Sequence, residues 1–272
     1  MEKTITDIHY FWHGKSITKM ELLTFHSAWK NQHQPVLWTY EEKIENLPEF
    51  VKLLPATTLL NKETFEYYLY SLKLPIASIS DIIRYEILLR FGGIYSDTDI
   101  VILKNLNGIT ESEYFCSTYE YNYGELSSNC LMRLEKSSQI AKYLSKECAI
   151  RIDEIKNNTV ENFDYCYLGP FLVQKCAKEI DVSILPFDYI NPISWRWTNK
   201  LIAYNKIDFK FFIKLFIRKL LGKNVSGYQI TKNTFAVHLS NETWKQNSLN
   251  KNENYHSLSI YEKLKKRYLK DE

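Results

Sequence analysis

Long apolar stretches are missing from this chain. No uninterrupted hydrophobic run among its 272 residues reaches the roughly 20 residues that a membrane-spanning helix needs. The opening residues, MEKTITDIHYFWHG, lack the apolar core of a secretory signal. Cysteine is sparse: Cys116, Cys130, Cys148, Cys166 and Cys176 form no CxxC pair and are odd in number. That argues against a disulfide framework or a zinc knuckle and for a reducing compartment. A cytoplasmic protein is expected, in which the sequons at Asn157, Asn224 and Asn241 carry no meaning. Internal repeats, low-complexity linkers and recognised nucleic-acid motifs are absent too, so no nucleic-acid partner is expected.

What is present is enough for a substantial core. Hydrophobic residues make up 45% and charged residues 25% of the chain. Its length fits one large domain, or one domain with a small helical addition. The 20 tyrosines suit grooves that bind rings and hydroxyls, although a codon bias toward Tyr, Lys, Asn and Ile would give the same count. Charge is uneven. Residues 200–272 hold 15 Lys/Arg against 6 Asp/Glu, and residues 1–199 hold 20 against 26. An acidic body with a basic C-terminal end suggests that this end meets an anionic surface.

Periodicity and breakers predict strands at 8–12, 35–40, 94–96, 100–103, 114–119, 130–134, 184–186 and 234–238. Helices are predicted at 18–30, 80–91, 139–155, 171–178, 209–221 and 260–269, with 41–74 mostly helical. Alternating strands and helices in the first half imply an α/β sandwich with a mainly parallel sheet. Asp97-Thr98-Asp99 follows a predicted strand, where α/β sheets bind ligands. Two carboxylates separated by one residue can converge on a hard cation such as Mg²⁺ or Mn²⁺. Such a cation can stabilise a departing diphosphate. The tripeptide alone also reads as a solvated turn.

Its context is specific. The stretch S-D-I-I-R-Y-E-I-L-L-R-F-G-G-I-Y-S-D-T-D, residues 80–99, puts Asp81 and Arg84 three apart on one helix face and ends that helix at Gly92-Gly93. It resembles glycosyltransferase family 32, the DXD sugar transferases, a group similar to capsule-synthesis enzymes and distantly to clostridial glucosylating toxins. The resembling pattern is S-D-x-x-R-x-x-x-L-x-x-x-G-G-x-Y-x-D-x-D. Ile8–Gly14 resembles the family's opening I-H-x-x-W-x-G strand. Leu168-Gly169-Pro170 resembles its T-G-P helix start, and the stretch from His238 to Trp244 its closing H-x-x-x-x-x-W element. Ser96, where a large apolar residue is usual, and Leu168, in place of Thr, depart from the pattern.

The resemblance implies a GT-A glycosyltransferase fold with a Rossmann-like nucleotide-sugar-binding sheet and additional helices. It places the catalytic domain at 1–245 and a basic tail or helix at 246–272. It also implies a UDP-sugar donor, a Mn²⁺ or Mg²⁺ cofactor and retention at the anomeric carbon. Asp97, Asp99, Arg84 and Asp81 would be the catalytic group. Trp12, Tyr95, Asn129, Ser240, Asn241 and Trp244 would join them around the donor. Trp12 would stack on the base and Trp244 would close as a lid. Asp99, Asp97 and His238 would hold the metal. Plainer readings exist beside these. Trp12 is also a candidate core residue, Trp244 a packing anchor, Asp81 a capping acid paired with Ser78, Arg84 an exposed salt bridge, and His238 a structural histidine. His9, His13, His26, His33 and His256 show no metal-ligand spacing.

The segment 209–222 mixes aromatics and aliphatics with Lys210, Lys214 and Arg218 at i,i+4 spacing. It predicts a helix that can lie on anionic lipid, or a buried helix whose cations face water. The expected enzyme therefore moves a hexose or N-acetylhexosamine to a lipid-linked glycan acceptor, at the inner face of the cytoplasmic membrane, in capsule or O-antigen synthesis. Two other readings are an effector that glycosylates a host protein and a non-catalytic nucleotide-sugar-binding protein.

Overall fold

The computed structural model describes residues 5–120, 122–160 and 164–270. Its strands are β1 (Thr6–Phe11), β2 (His33–Thr39), β3 (Lys52–Pro55), β4 (Gly93–Ser96), β5 (Ile100–Ile102), β6 (Tyr114–Glu120), β7 (Gly124–Leu134), β8 (Ser183–Ile184) and β9 (Ala236–His238). Helices α1 (Lys19–Lys30), α2 (Lys62–Glu66), α3 (Ile76–Phe91), α4 (Gln139–Lys156), α5 (Pro170–Glu179), α6 (Phe187–Ile190), α7 (Phe209–Leu220), α8 (Asn241–Gln246) and α9 (Ile260–Tyr268) connect and flank them. One seven-stranded sheet runs in the order β3-β2-β1-β4-β7-β6-β8, and β5 and β9 make a separate two-stranded ribbon. β3, β2, β1 and β4 are mutually parallel, and β7 is antiparallel to β4 and β6. This is the expected α/β architecture, with a mostly parallel central sheet.

Why the sheet sits where it does follows from β1. Ile8 and Tyr10 point into one apolar cluster with Phe25 and Ala28 of α1, Leu37, Ile94 and Leu131. Phe11 points into the other, with Ile83, Ile87 and Leu88 of α3, Leu144 of α4 and Val173 of α5. A strand buried on both faces belongs at the centre of a helix-covered sheet. A third cluster joins Met20 and Leu23 of α1 to Val237, Leu239, Trp244, Tyr261 and Leu264. Residues 255–268 thus pack against α1 and the β5–β9 ribbon. Among the described residues no helix is long and apolar enough to cross a membrane.

The structure differs from the sequence reading in several places. The 41–74 stretch is not mostly helical: it contains β3, a half-exposed edge strand that ends on Pro55, a position proline tolerates. α3 starts at Ile76, behind an N-cap Pro75, rather than at 80. β7 begins at Gly124, because its polar first half is held by pairing with β6 rather than by burial. α8, a short helix after His238, had no sequence signal of its own. Gly92 ends α3 as expected: its φ is +70°, and an added Cβ would lie 2.5 Å from the Lys136 backbone nitrogen.

Candidate active site

α3 is the platform of the site. Ser78 does not cap it: N-cap Pro75 makes no side-chain hydrogen bond, and the Ser78 hydroxyl is buried without a partner. The capping-box reading of Asp81 therefore fails. Asp81 and Arg84 are both buried, so Arg84 is not an exposed surface pair either. Arg84 Nη1 donates to Asp81 Oδ1 at 2.9 Å, and Nη2 donates to Asp97 Oδ1. The guanidinium also lies 4.6 Å from the centre of the Tyr95 ring, whose hydroxyl is 2.9 Å from Ser80 Oγ. One planar cation thus holds carboxylates from a helix and a strand end in fixed positions. Its Nε is buried without a hydrogen-bond partner.

Asp81 is fixed from the other side as well. Asn129 Nδ2 donates to Asp81 Oδ1 at 2.7 Å. Gly169, at the start of α5, runs so close that an added Cβ would lie 2.5 Å from Asp81 Oδ2 and 3.0 Å from Asn129 Nδ2. The Tyr85 hydroxyl pins this turn by donating to Leu168 O at 2.9 Å. The approach of Gly169 was not legible in the sequence beyond its place in Leu168-Gly169-Pro170. Gly169→Ala should therefore cost roughly 1–3 kcal/mol by overpacking. A thermal melt on the variant checks this; an unchanged melting temperature would show that the contact is dispensable.

β4 delivers Asp97, whose backbone N–H donates to Cys130 O at 2.8 Å. The chain then turns into β5, which pairs with β9 so that Ile100 faces His238. That pairing carries His238 Nε2 to 3.2 Å from Asp99 Oδ2. Ser240 adopts a left-handed backbone, φ +58°, and aims the next N–H back: Asn241 N donates to Asp99 Oδ2 at 2.7 Å. Ligand atoms of Asp97, Asp99 and His238 all lie within 4.8 Å of one another. The side-chain oxygen of Asn241 is buried without a partner. Two carboxylates and an imidazole form a donor set that suits a hard or borderline divalent cation such as Mn²⁺. The residues fit the expected metal.

The electrostatics of the cluster follow from burial set against its charged neighbours. Burial pushes Asp81 up to about 6, against the opposing pull of Arg84 and Asn129. Burial also raises Asp97 above the usual carboxylate range; Arg84 opposes it, and the Asp99 charge adds to it. Asp97 keeps 30% of its side chain in solvent, so this lift is smaller than full burial would give. Burial would raise Asp99 too, but His238 and the Asn241 N–H hold it at about 2. Burial disfavours the His238 imidazolium, yet the Asp99 carboxylate outweighs it and raises His238 well above its ordinary value. A metal must displace the His238 proton, and any proton on Asp97, to bind. Divalent-ion affinity should therefore rise with pH, by about tenfold or more per unit between about pH 6 and 8. Titration calorimetry with Mn²⁺ at several pH values checks the sign; affinity that falls or stays flat contradicts it.

Asn191 was not singled out by sequence reasoning. Its Oδ1 sits 2.9 Å from His238 Nδ1, and its Nδ2 donates to Ser117 O at 2.7 Å, which orients the imidazole toward Asp99. Lys251 is another: its Nζ contacts Glu21 at 2.7 Å and lies 5.8 Å from the Trp12 ring centre. Trp12 itself lies just past β1, half-buried, with its indole N–H on Ser16 O at 3.2 Å. The lid expected of Trp244 is corrected. Its side chain is 0% exposed, packs edge-on against Tyr255 and Tyr261, and donates to Leu239 O at 2.8 Å. A fully packed indole with its only donor satisfied anchors the α8 turn rather than standing open as a lid. His9 and His33 are core histidines whose pKa burial lowers to about 4.

Residues 16–116 match the family described as "Glycosyltransferase sugar-binding region containing DXD motif". No curated protein matches the chain. Among solved structures, one described as "PaToxG Glycosyltransferase" is 18% identical over 84% of this chain and 81% of its own, with a TM-score of 0.48. The UDP-bound glycosyltransferase domain of the YGT toxin is 11% identical over 66% and 68%, with a TM-score of 0.41. The catalytic domain of alpha-toxin from Clostridium novyi is 10% identical over 97% and 76%, with a TM-score of 0.42.

Proposed function

We propose that this chain, which carries a DXD-type glycosyltransferase region over residues 16–116, is a retaining glycosyltransferase that moves a hexose or N-acetylhexosamine from a UDP-sugar to a glycan acceptor. The observation that carries the reading is the single buried guanidinium of Arg84 joining Asp81 to Asp97, beside the Asp97–Asp99–His238 cluster. A divalent ion held by Asp97, Asp99 and His238 would neutralise the diphosphate as it leaves. Arg84, with its unpaired Nε, would add donors to the phosphates. Asp81, locked by Asn129 and Gly169, would accept hydrogen bonds from sugar hydroxyls. Trp12 would offer the base a ring at the same C-terminal end of the parallel strands, and Tyr95 would keep Arg84 oriented.

Retention by double displacement needs a carboxylate nucleophile under the sugar. Asp81 and Asp97 are both engaged by Arg84, so same-face attack, with the leaving phosphate taking the acceptor proton, is the proposed route. Screening UDP-sugars for Mn²⁺-dependent hydrolysis, followed by stereochemical assignment of the transfer product, tests this. Metal-dependent release of a sugar and a retained linkage are expected; an inverted linkage would contradict the mechanism.

A lipid-linked acceptor is favoured by α7. Phe209, Ile213, Phe216, Ile217 and Leu220 are all exposed along it, between Lys210, Lys214 and Lys219. An apolar stripe flanked by cations suits the interface of an anionic bilayer. The reading places the chain on the inner face of the cytoplasmic membrane, in synthesis of a surface polysaccharide such as capsule or O-antigen. Sedimentation with anionic vesicles at low salt should recover the protein, and Phe216→Glu should reduce recovery several-fold. Equal recovery with neutral vesicles, or transfer to proteins of a host lysate instead of lipid-linked oligosaccharide, would overturn this acceptor.

A further inference from the structure

α7 has a second face. Arg218 is half-buried and lines a cavity of about 340 Å³ together with Tyr119, Ser194, Arg196, Trp197 and Tyr228. The cavity is a built feature. Trp197 and Tyr228 stack at 5.0 Å with their planes 25° apart. The loop that carries Tyr228 is tied to the 193–194 segment by an Ile193–Tyr228 bridge and by Ser194 N donating to Gly227 O at 2.8 Å. Gly227 has φ +77°, and a Cβ there would lie 3.1 Å from Ser194 Cβ, so a larger residue would strain the loop. Asn224 Nδ2 donates to the hydroxyl of Tyr119, another lining residue, at 2.7 Å.

The two arginines differ. Arg196 is neutralised by Glu120, 3.0 Å away. Arg218 has five N–H donors, of which Nη2 meets Asn224 O at 2.8 Å, while Nε is buried without a partner. β6 links the cavity wall to the candidate active site. Tyr119 lies two residues beyond Ser117 on β6, and Ser117 O holds the Asn191 that orients His238. A concave site with an aromatic wall, several hydroxyl and amide groups and one unneutralised guanidinium recognises a ring bearing a negative charge.

We infer that this cavity is an acceptor subsite that takes an anionic saccharide, its ring against Trp197 and Tyr228 and its phosphate or carboxylate on Arg218. The inference rests on the glycosyl-transfer reading and deepens it. It gives α7 two tasks: the outer stripe meets the lipid, and the inner arginine holds the charged part of the acceptor nearest to it. A phosphate would come from the lipid linkage and a carboxylate from a uronate in the glycan.

Calorimetric titration of the full chain, with a chelator present to keep cations off Asp97 and Asp99, tests it. Four probes are compared: a hexose 1-phosphate, a hexuronate, a neutral methyl hexoside and inorganic phosphate. One of the two anionic sugars should bind at least about tenfold more tightly than the methyl hexoside and than inorganic phosphate; which one identifies the anion. Arg218→Gln should remove most of that difference with an unchanged melting temperature, and Tyr228→Leu should weaken the preferred anionic sugar. Equal binding of the neutral sugar, inorganic phosphate as tight as either sugar, or full binding by folded Arg218→Gln would overturn the subsite. Metal-dependent donor hydrolysis on the same preparation separates the two readings. Its absence sinks glycosyl transfer, whereas hydrolysis without saccharide binding sinks the subsite alone.

Discussion

Asp99→Ala should lower donor hydrolysis and sugar transfer by on the order of a thousandfold, the scale lost when a group that stabilises developing negative charge is removed from a closed site. Three contacts end with the substitution: the approach to His238, the Asn241 N–H and the carboxylate's share of the metal cluster. The fold should survive, because Asp99 belongs to none of the three apolar clusters. The burial penalty that its charge carries disappears with it. His238 then loses the carboxylate that raises its pKa and sheds its proton, so no stranded charge remains. A melting temperature within about 4 °C of wild type, equivalent to roughly 1 kcal/mol, is expected. Kinetics and a thermal melt on one preparation check both halves. Near-wild-type turnover would remove Asp99 from the site.

Arg84→Gln should fail in both respects. Its guanidinium is the shared partner of Asp81 and Asp97, and Asp81 is almost wholly shielded from water. Removing one partner from a buried ion pair leaves the other charge uncompensated, at about 3–5 kcal/mol. For a chain of this size that is a drop in melting temperature of roughly 6–15 °C. Raising the pH through the lifted range of Asp81 should deepen the loss. A carboxyl that can be neutral at low pH tolerates burial without Arg84, whereas its ionised form does not. Arg84→Lys should restore little, since a point charge cannot reach two carboxylates with the geometry of a planar fork. An Arg84→Gln protein that melts like wild type would show that water, rather than the guanidinium, balances those carboxylates.

The local half of this site was legible in the sequence for a physical reason. Asp81 and Arg84 share a helix face because they are three residues apart, and Asp97 follows a strand because Gly92-Gly93 forces the reversal that starts β4. Asp99 meets His238 only through the β5–β9 pairing, and no local pattern encodes a pairing across that much chain. His238 could be named from resemblance alone. Asn191 and Gly169 escaped for the same reason, since each acts by a contact between distant segments. β3 escaped because a short edge strand carries little hydrophobic alternation. Trp244 was misread because an aromatic residue after a site histidine looks the same whether it caps a ligand or fills a core. Only its neighbours, Tyr255 and Tyr261, decide.

The most direct test is diffraction from crystals grown with Mn²⁺ and UDP, with anomalous scattering recorded to locate the metal. One manganese peak is expected within coordination distance of Asp97, Asp99 and His238, with the UDP diphosphate bound beside it and near Arg84. A nucleotide bound with its manganese away from all three of those side chains would contradict it.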